Sequence, residues 1–434
     1  MKADIGRGYI RRVALIALAG TAMALTVSVA QAQSIGVAWW GEGDQNKRTQ
    51  EALDAFTAQS GVAITPQATN FAGYFERLAT QVAANNAPDV YQLTVSNLAE
   101  YAGRGALAEL DQYYGSIIDP SDWADVAVAS ANFGEHQYFV PMGLATYAAI
   151  IIDKTVVGEL GLAEIDPEWT MAEFKDYASK VAAALAEETG KPAWGTDDFG
   201  GVPVVFESYL RSMGKETFTP EGELGFTEED LTNWLTFWEE LRAEGIAVPP
   251  QSQETGGFEA SPLIRGVAPI VVAYSSKGIQ GYSALTDHEL AFIQFPKADE
   301  NAERVTLTAP VEWMVVSANS TSPESAAALV NFLANDAAAF EAMGVAKGAP
   351  VGADLRKHMM ESGTLSDVEM MIYQNVEDSL PFSRPPNTYP AGSAELLGVS
   401  GSLLDRLNDE VGFGSLSVEA AVQRFFAEAR RALR

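Results

Sequence analysis

The chain has 434 residues, of which 47% are hydrophobic, and it carries a formal net charge of −30 at pH 7 with no cysteine. This length exceeds what one ordinary hydrophobic core accommodates, so two domains are expected. The acidic balance makes nucleic acid and anionic membrane surfaces poor partners, and the lack of cysteine excludes structural disulfides and thiolate metal sites.

Residues 1–32 have the pattern of an export signal. A basic region with Arg11-Arg12 precedes an apolar segment, 13–29, and Ala30-Gln31-Ala32 follows as a small-x-small cleavage site. A membrane anchor is the alternative, since the segment approaches the minimum span of about 17 residues. We expect cleavage, because Ala, Gly and Thr dilute the segment. The mature protein would then begin near Gln33, and without a lipid-bearing cysteine it would diffuse freely in a bacterial periplasm, exported by the general secretory or the twin-arginine route.

The mature chain opens with a predicted strand that ends in an aromatic pair. The apolar run 34–38 leads directly into Trp39-Trp40 and then into a polar, glycine-containing stretch, 41–45. Neighbouring strand residues point to opposite faces, so we expect at most one of these tryptophans to be simple core. The pair lies at the carboxyl end of the strand, where open α/β sheets place their ligands.

Predicted helices and strands alternate along the rest of the chain. Further strands are expected at 148–152, 270–274, 290–295 and 313–317, and helices are expected to begin at Thr170, Thr227 and Ser322. Trp234 and Trp238 share the apolar face of the helix that begins at Thr227, so we expect both to be core. This alternation predicts an α/β protein with a parallel-rich sheet in each half.

Several segments resemble those of a known family in their order and spacing. They are Trp39-Trp40-Gly41, Pro88-Asp89-Val90, Tyr138-Phe139-Val140-Pro141, Glu168-Trp169-Thr170 and Lys347-Gly348-Ala349-Pro350. The chain resembles extracellular solute-binding protein family 1, the substrate-binding proteins of carbohydrate ABC importers, which include maltodextrin- and oligogalacturonide-binding proteins.

The resemblance implies a two-lobed periplasmic-binding-protein fold of type II. Each lobe would be a mixed, mostly parallel sheet flanked by helices, with the ligand cleft between the lobes. Because the chain of this family crosses between lobes several times, lobe 1 would comprise residues 33–143 and 310–355, and lobe 2 would comprise residues 144–309 and 356–434. The crossings would lie near Gly143–Tyr147 and Ala309–Glu312.

Sugar recognition needs flat apolar faces for the C–H side of a pyranose ring and planar polar groups for its hydroxyls. Both kinds of residue lie in predicted loops and at strand ends, most densely at 39–48. The candidate ligand-binding residues are Trp39, Trp40, Glu42, Asp44, Arg48, Asn70, Tyr74, Gln92, Ser96, Tyr147, Glu207, Tyr209, Tyr274, Glu312, Trp313 and Lys347. Glu312 and Trp313 stand where many members of the resembling family carry a Gly-Gly pair, and they are chemically suited to contact ligand.

Enzyme signatures are missing from the sequence. The three histidines are far apart, and there is no Gly-x-Ser-x-Gly elbow, Walker loop or dinucleotide fingerprint. We therefore expect no catalytic residue, no metal and no cofactor.

The expected function is that of a periplasmic substrate-binding protein, a monomer that captures a carbohydrate, favoured to be an oligosaccharide, by hinge closure. It would deliver this ligand to the membrane permease subunits of an ABC importer. Two alternatives stay open. One is a secreted carbohydrate-active enzyme, a lyase or glycosidase, and the other is a binder of glycerol phosphate or another small polar solute. The sequence does not name the sugar, its linkage, its length or its charge.

Overall fold

The structure is a computed structural model that describes residues 34–384, 389–390, 392–398 and 401–433. The export signal predicted for residues 1–32 lies outside these ranges. Among the helices in the described ranges, none is both long enough and apolar enough to cross a bilayer.

Helices and strands alternate through the described chain, as the sequence predicts. The strands are β1 (Ser34–Trp40), β2 (Ala63–Thr69), β3 (Val90–Leu93), β4 (Asn132–Phe133), β5 (His136–Gln137), β6 (Phe139–Pro141), β7 (Leu144–Thr146), β8 (Ala149–Asp153), β9 (Ile270–Ala273), β10 (Leu290–Ile293), β11 (Thr308–Pro310) and β12 (Trp313–Val316). The helices are α1 (Gly43–Ser60), α2 (Phe71–Ala83), α3 (Val95–Gly103), α4 (Asp125–Ala129), α5 (Lys154–Glu159), α6 (Met171–Thr189), α7 (Pro203–Ser212), α8 (Glu228–Ala243), α9 (Ser275–Ser283), α10 (Pro323–Asn335), α11 (Ala337–Met343), α12 (Ala353–Glu361), α13 (Asp367–Ser379), α14 (Ser393–Leu397), α15 (Leu403–Gly412) and α16 (Val418–Ala432). The four predicted strands are confirmed as β8, β9, β10 and β12, and the three predicted helix starts as those of α6, α8 and α10.

Capping interactions set the start of α6 and α8. The Thr170 hydroxyl accepts from the Glu173 amide at 3.3 Å, and the Glu173 carboxylate accepts from the Thr170 amide at 2.7 Å. Thr227 and Asp230 make the same reciprocal pair at the start of α8. Such pairs satisfy two backbone donors that a helix start leaves free, so these helices begin where the local sequence dictates.

The first sheet has five strands in the order β2-β1-β3-β12-β6. Strand β1 runs parallel to β2 and β3, whereas β12 runs antiparallel to β3 and β6. The carboxyl ends of β1, β2, β3 and β6 therefore meet the amino end of β12 along one edge, which we call the first-sheet edge. Trp40, Gln92 and Glu312 come from three of these strand ends, although they are far apart in sequence.

The second sheet has three strands in the order β10-β8-β9, and both of its pairings are antiparallel. The sequence predicted a mostly parallel sheet in this half, and this detail is wrong. Strands β9 and β10, joined through α9, do run in the same direction, as a strand–helix–strand unit should. The chain inserts β8 between them in the opposite direction, so neither parallel strand pairs with the other.

A two-stranded ladder connects the regions that hold the two sheets. Strand β7 follows β6 of the first sheet and precedes β8 of the second, while β11 leads back to β12. The two pair antiparallel, with Thr146 opposite Thr308 and Leu144 opposite Pro310. The Thr146 and Thr308 hydroxyls also lie 2.9 Å apart. Both predicted crossings thus run side by side, held by backbone hydrogen bonds.

Hydrophobic clusters cover both faces of the first sheet. Val37 and Trp39 face one cluster, with residues of α1 and α10, whereas Ala38 and Trp40 face another, with residues of α2 and α3. Trp39 is 1% exposed and Trp40 is 6% exposed. The expectation that at most one of these tryptophans is core is therefore wrong, because helices bury both faces of the sheet and each ring packs in a hydrophobic cluster. The prediction that Trp234 and Trp238 are core is confirmed.

Trp238→Ala should destabilise the protein by about 3 to 5 kcal/mol, because it opens a cavity among fully buried rings. The Trp238 ring centroid lies 5.3 Å from that of Phe199 and 5.7 Å from that of Trp234. Phe413→Ala is the control, since Phe413 is 55% exposed and its truncation should change stability by less than about 0.5 kcal/mol. Urea denaturation of both variants measures this, and equal losses would contradict the assignment of Trp238 to the core.

Candidate functional site

A buried ion pair lies at the first-sheet edge. The Lys347 ammonium is 2.8 Å from the Glu312 carboxylate, and their side chains are 3% and 5% exposed. Lys347 also donates to the Gln92 side-chain oxygen at 3.1 Å, and Gln92 itself is fully buried. The same ammonium lies 5.7 Å from the centre of the Trp40 ring. Three strand ends and the loop after α11 thus place an acid, a base, an amide and an aromatic face together.

Burial dominates the electrostatics of this pair. It raises the pKa of Glu312 and lowers the pKa of Lys347, while the attraction between the two charges opposes both shifts. The Gln92 amide nitrogen has no hydrogen-bond partner among the described residues. A buried donor without a partner costs about 1 to 3 kcal/mol, so this group is suited to a bound acceptor such as a hydroxyl oxygen.

Tyr147 lies directly after β7, and its hydroxyl lies near Glu312 of the buried pair. Its hydroxyl donates to the Pro310 carbonyl, and its ring contacts Tyr274 edge to face at a centroid distance of 5.2 Å. Burial raises the pKa of the Tyr147 hydroxyl, and Tyr274 and the carboxylates of Glu312 and Glu207 add to the rise. Tyr147 therefore stands between an acid that borders the first sheet and an acid carried by α7.

Glu207 is the acid on α7, and it is buried. Its carboxylate lies 3.0 Å from the Arg211 guanidinium and accepts from the Tyr389 hydroxyl at 2.6 Å. Burial raises the pKa of Glu207, and the charge of Arg211 opposes that rise. We call Trp40, Gln92, Tyr147, Glu207, Tyr274, Glu312 and Lys347 the cleft cluster. Its members come from both sheet regions and from the ladder that connects them.

A cleft of about 250 Å³ opens beside this cluster. It is lined by Asp44, Gln45, Arg48, Lys277, Gln280, Val345 and Ala346. These residues belong to α1, α9 and the loop after α11, and Ala346 directly precedes Lys347. Since α1 packs on the first sheet and α9 joins β9 to β10, the cleft lies where the two sheet regions face each other.

Three candidate residues outside the cleft cluster use their polar atoms to stabilise the fold. The Tyr74 hydroxyl bonds to the backbone of Ala38 and Gln92, and Trp313 donates to the Ser130 hydroxyl from within the core. Asn70 caps α2 by accepting from the Gly73 amide at 3.1 Å.

Four more candidates lie outside the cleft cluster. Glu42 is exposed at the start of α1, and Tyr209 packs against Trp234, with a pKa raised to about 12 by burial. Trp39 is buried in the core, as described above. Ser96 lies in α3, and its side chain is outside the part of the chain that the structure describes.

The remaining candidates, Asp44 and Arg48, line the cleft. The Arg48 guanidinium pairs with Asp44 at 2.7 Å and approaches Glu369 of α13 at 3.9 Å. Sequence reasoning missed two neighbours of the cluster. Lys277, whose charge acts on both Glu312 and Lys347, stood in a recognisable strand-end position, but Tyr389 follows a proline-rich stretch that gives no such signal.

One exposed group could hold a cation by geometry alone. Glu109, Asp111 and His136 each bring one ligand atom within 4.8 Å of the others. The His136 ring nitrogen lies 3.4 Å from the Asp111 carboxylate at the protein surface. We assign no metal to these side chains, because all three are exposed and acidic groups on a surface gather in this way without one.

A family model described as bacterial extracellular solute-binding protein matches residues 40–340 of the chain. The chain belongs to this family. Solved structures agree with the assignment and show the fold. A family 1 extracellular solute-binding protein from Alicyclobacillus acidocaldarius superposes with a TM-score of 0.76 at 24% identity, over 92% of this chain and 98% of that chain. The family and the two-lobed α/β fold class predicted from the sequence are both confirmed.

Two similar proteins have names that mention sugars. A periplasmic oligogalacturonide binding protein from Yersinia enterocolitica, in complex with saturated digalacturonic acid, has a TM-score of 0.73 at 18% identity, over 92% of this chain and 100% of that chain. The diacetylchitobiose binding protein DasA of Streptomyces coelicolor is 26% identical over 110 residues. That match covers 25% of this chain and spans 25% of the length of that protein.

Removing one charge of the buried pair should be more harmful than removing both. Glu312→Gln leaves Lys347 buried without its counter-charge, and we expect a loss of about 3 to 5 kcal/mol in the free energy of unfolding. The double variant Glu312→Gln with Lys347→Met should recover most of this loss. The exposed pair Lys47 and Glu51, 3.5 Å apart, is the control and should contribute less than about 1 kcal/mol. Urea denaturation measures the free energy of unfolding of Glu312→Gln, of the double variant and of variants of the Lys47–Glu51 control pair. A double variant that loses more free energy of unfolding than Glu312→Gln alone would contradict the buried-pair argument.

Proposed function

We propose that this solute-binding protein captures a carbohydrate between its lobes by hinge closure and delivers it to the permease subunits of an ABC importer. Within this proposal the protein is a periplasmic monomer whose export signal is removed and which carries no lipid anchor. Lobe 1 comprises residues 33–143 and 310–355, and lobe 2 comprises residues 144–309 and 356–434. The β7–β11 ladder is the hinge.

The observation that carries the proposal is the buried cleft cluster. Taking two charges out of water costs several kcal/mol per ion, and their mutual attraction offsets this only with good geometry and full hydrogen bonding. A cluster that retains Lys347, Glu312, Gln92 and Glu207 at such a cost is better suited to a ligand than to stability alone. Because these side chains are buried, a ligand reaches them only when the lobes part.

The chemistry of the cluster suits a sugar. Carboxylates accept hydrogen bonds from hydroxyls, the ammonium and the amide nitrogen donate to hydroxyl oxygens, and the rings of Trp40, Tyr147 and Tyr274 provide apolar faces. The charges of Lys347 and Glu312 balance each other, so a neutral sugar fits as well as an acidic one. The names of the two similar sugar binders support this class of ligand and suggest probes of each kind.

A non-enzymatic role accords with the family. The carboxylates of Glu207 and Glu312 are the nearest candidates for acid–base chemistry, which the alternative of a lyase or glycosidase would need. Each is already paired with a cation, Arg211 or Lys347, within 3.0 Å. In each pair the cation opposes the rise that burial causes in the pKa of the carboxylate. The family match, rather than the state of these carboxylates, therefore supports the non-enzymatic role.

Gln92→Met should weaken sugar binding about tenfold, because it removes the hydrogen-bonding amide. The fold should stay intact, since the methionine side chain is similar in size to that of glutamine. Titration calorimetry measures this with diacetylchitobiose and digalacturonic acid, the first neutral and the second acidic. Gln423→Met, on the exposed face of α16, is the matched control and should bind like the wild type.

Two results would count against the proposed function. If neither these sugars nor their longer homologues bind to the wild-type protein, the ligand is of another class, such as glycerol phosphate. If the sugars are instead converted, with new reducing ends or unsaturated products, the protein is an enzyme.

A further inference from the structure

A largely exposed aromatic ring lies at the first-sheet edge, in contact with a member of the cleft cluster. Phe71 is the first residue of α2 and directly follows the strand end of β2 at the first-sheet edge. It is 54% exposed. An exposed single phenylalanine needs no explanation on an ordinary surface, but this one is part of an ordered group of rings.

Phe71, Trp40 and Phe75 form a group of three rings in mutual contact. The Phe71 centroid lies 5.7 Å from Trp40 and 5.7 Å from Phe75, both edge to face, and Trp40 lies 5.6 Å from Phe75. Phe71 therefore packs against two neighbouring rings while about half of its surface stays in water. A ring packed in this way can accept a flat apolar partner with little loss of side-chain entropy.

Trp40 connects this ring to the cleft cluster. The Trp40 ring contacts Phe71 and also lies 5.7 Å from the Lys347 ammonium. The exposed ring and the buried polar groups thus belong to one continuous edge of the molecule. In contrast, Phe413, which is 55% exposed, follows α15 in the second-lobe region.

Because Phe71 borders the cleft cluster without being enclosed by it, we propose that it forms an outer stacking subsite for a second or later sugar unit. This inference rests on the proposed function and makes it more specific. The cleft cluster would hold one end of the ligand, and Phe71 would stack on a pyranose ring farther along the chain. The protein would then prefer oligosaccharides over mono- and disaccharides.

The test compares chain lengths. Binding is measured by titration calorimetry with the dimers and tetramers of β-1,4-linked N-acetylglucosamine and of galacturonic acid. Wild-type protein should bind the tetramer of its preferred series about tenfold more tightly than the dimer. Phe71→Ala should lose this gain and keep the affinity for the dimer, whereas Phe71→Trp should retain the gain. Phe413→Ala is the control for removing an equally exposed ring, and thermal denaturation checks that each variant is folded.

The outcomes separate the inference from the proposed function. If the wild type binds dimer and tetramer equally, or if Phe71→Ala keeps the full gain for the tetramer, the outer subsite is wrong and the proposed function stands. If no saccharide of either series binds to the wild type, both the sugar-binding function and the subsite are overturned.

Discussion

The burial of opposite charges at the first-sheet edge is the constraint on which the rest of the site depends. The Lys347 ammonium lies 2.8 Å from the Glu312 carboxylate. Burial raises the pKa of Glu312 and lowers the pKa of Lys347, and each shift favours the neutral form. An ion pair of this kind is weak evidence for stability, because apolar replacements of similar volume often stabilise a protein as well or better. The pair lies where three strands end, beside the Gln92 amide nitrogen, which has no partner among the residues that the structure describes. This position is the reason that we assign the pair to a candidate binding site rather than to stability.

The sheet topology explains how such a site can open. Strand β12 runs against β3, so its amino end brings Glu312 to the edge where β1 and β3 end. The chain leaves this sheet through β7 and returns through β11, and these two strands pair with each other. Tyr147 follows β7 and Glu312 lies between β11 and β12, and both belong to the cleft cluster. A two-stranded ladder can bend without breaking either sheet. Rotation about this ladder is the movement that we propose for exposing the cleft cluster.

Local sequence signals predicted the elements well, and tertiary arrangement accounts for the failures. The capping pair of Thr170 and Glu173 depends on residues three positions apart, so its helix start could be found in the sequence. The direction of β8 depends on how the chain enters the second sheet, which no local pattern records. The burial of Trp39 and Trp40 together depends on helices that cover both faces, whereas the alternation of a strand shows only that they point apart.

The residue types of the candidate site can be proposed from the sequence, but its geometry can be proposed only in part. Gln92, Tyr147, Glu312 and Lys347 were all candidates, since each follows or precedes a strand or ends a loop. Their mutual contacts were not predictable, because Gln92 and Lys347 are 255 positions apart in sequence. Tyr74 and Trp313 have the aromatic chemistry of ligand contacts, but hydrogen bonds to the fold occupy both of their polar atoms.

Small-angle X-ray scattering tests hinge closure most directly. The structure encloses the cleft cluster, so the ligand-free protein in solution should have a larger radius of gyration than the structure gives. Saturation with a bound oligosaccharide should reduce the radius of gyration to that of the structure. Far-ultraviolet circular dichroism should stay unchanged, because the proposed closure moves each lobe as a rigid body. A radius of gyration that is the same with and without saturating ligand would contradict closure of two lobes over a buried site.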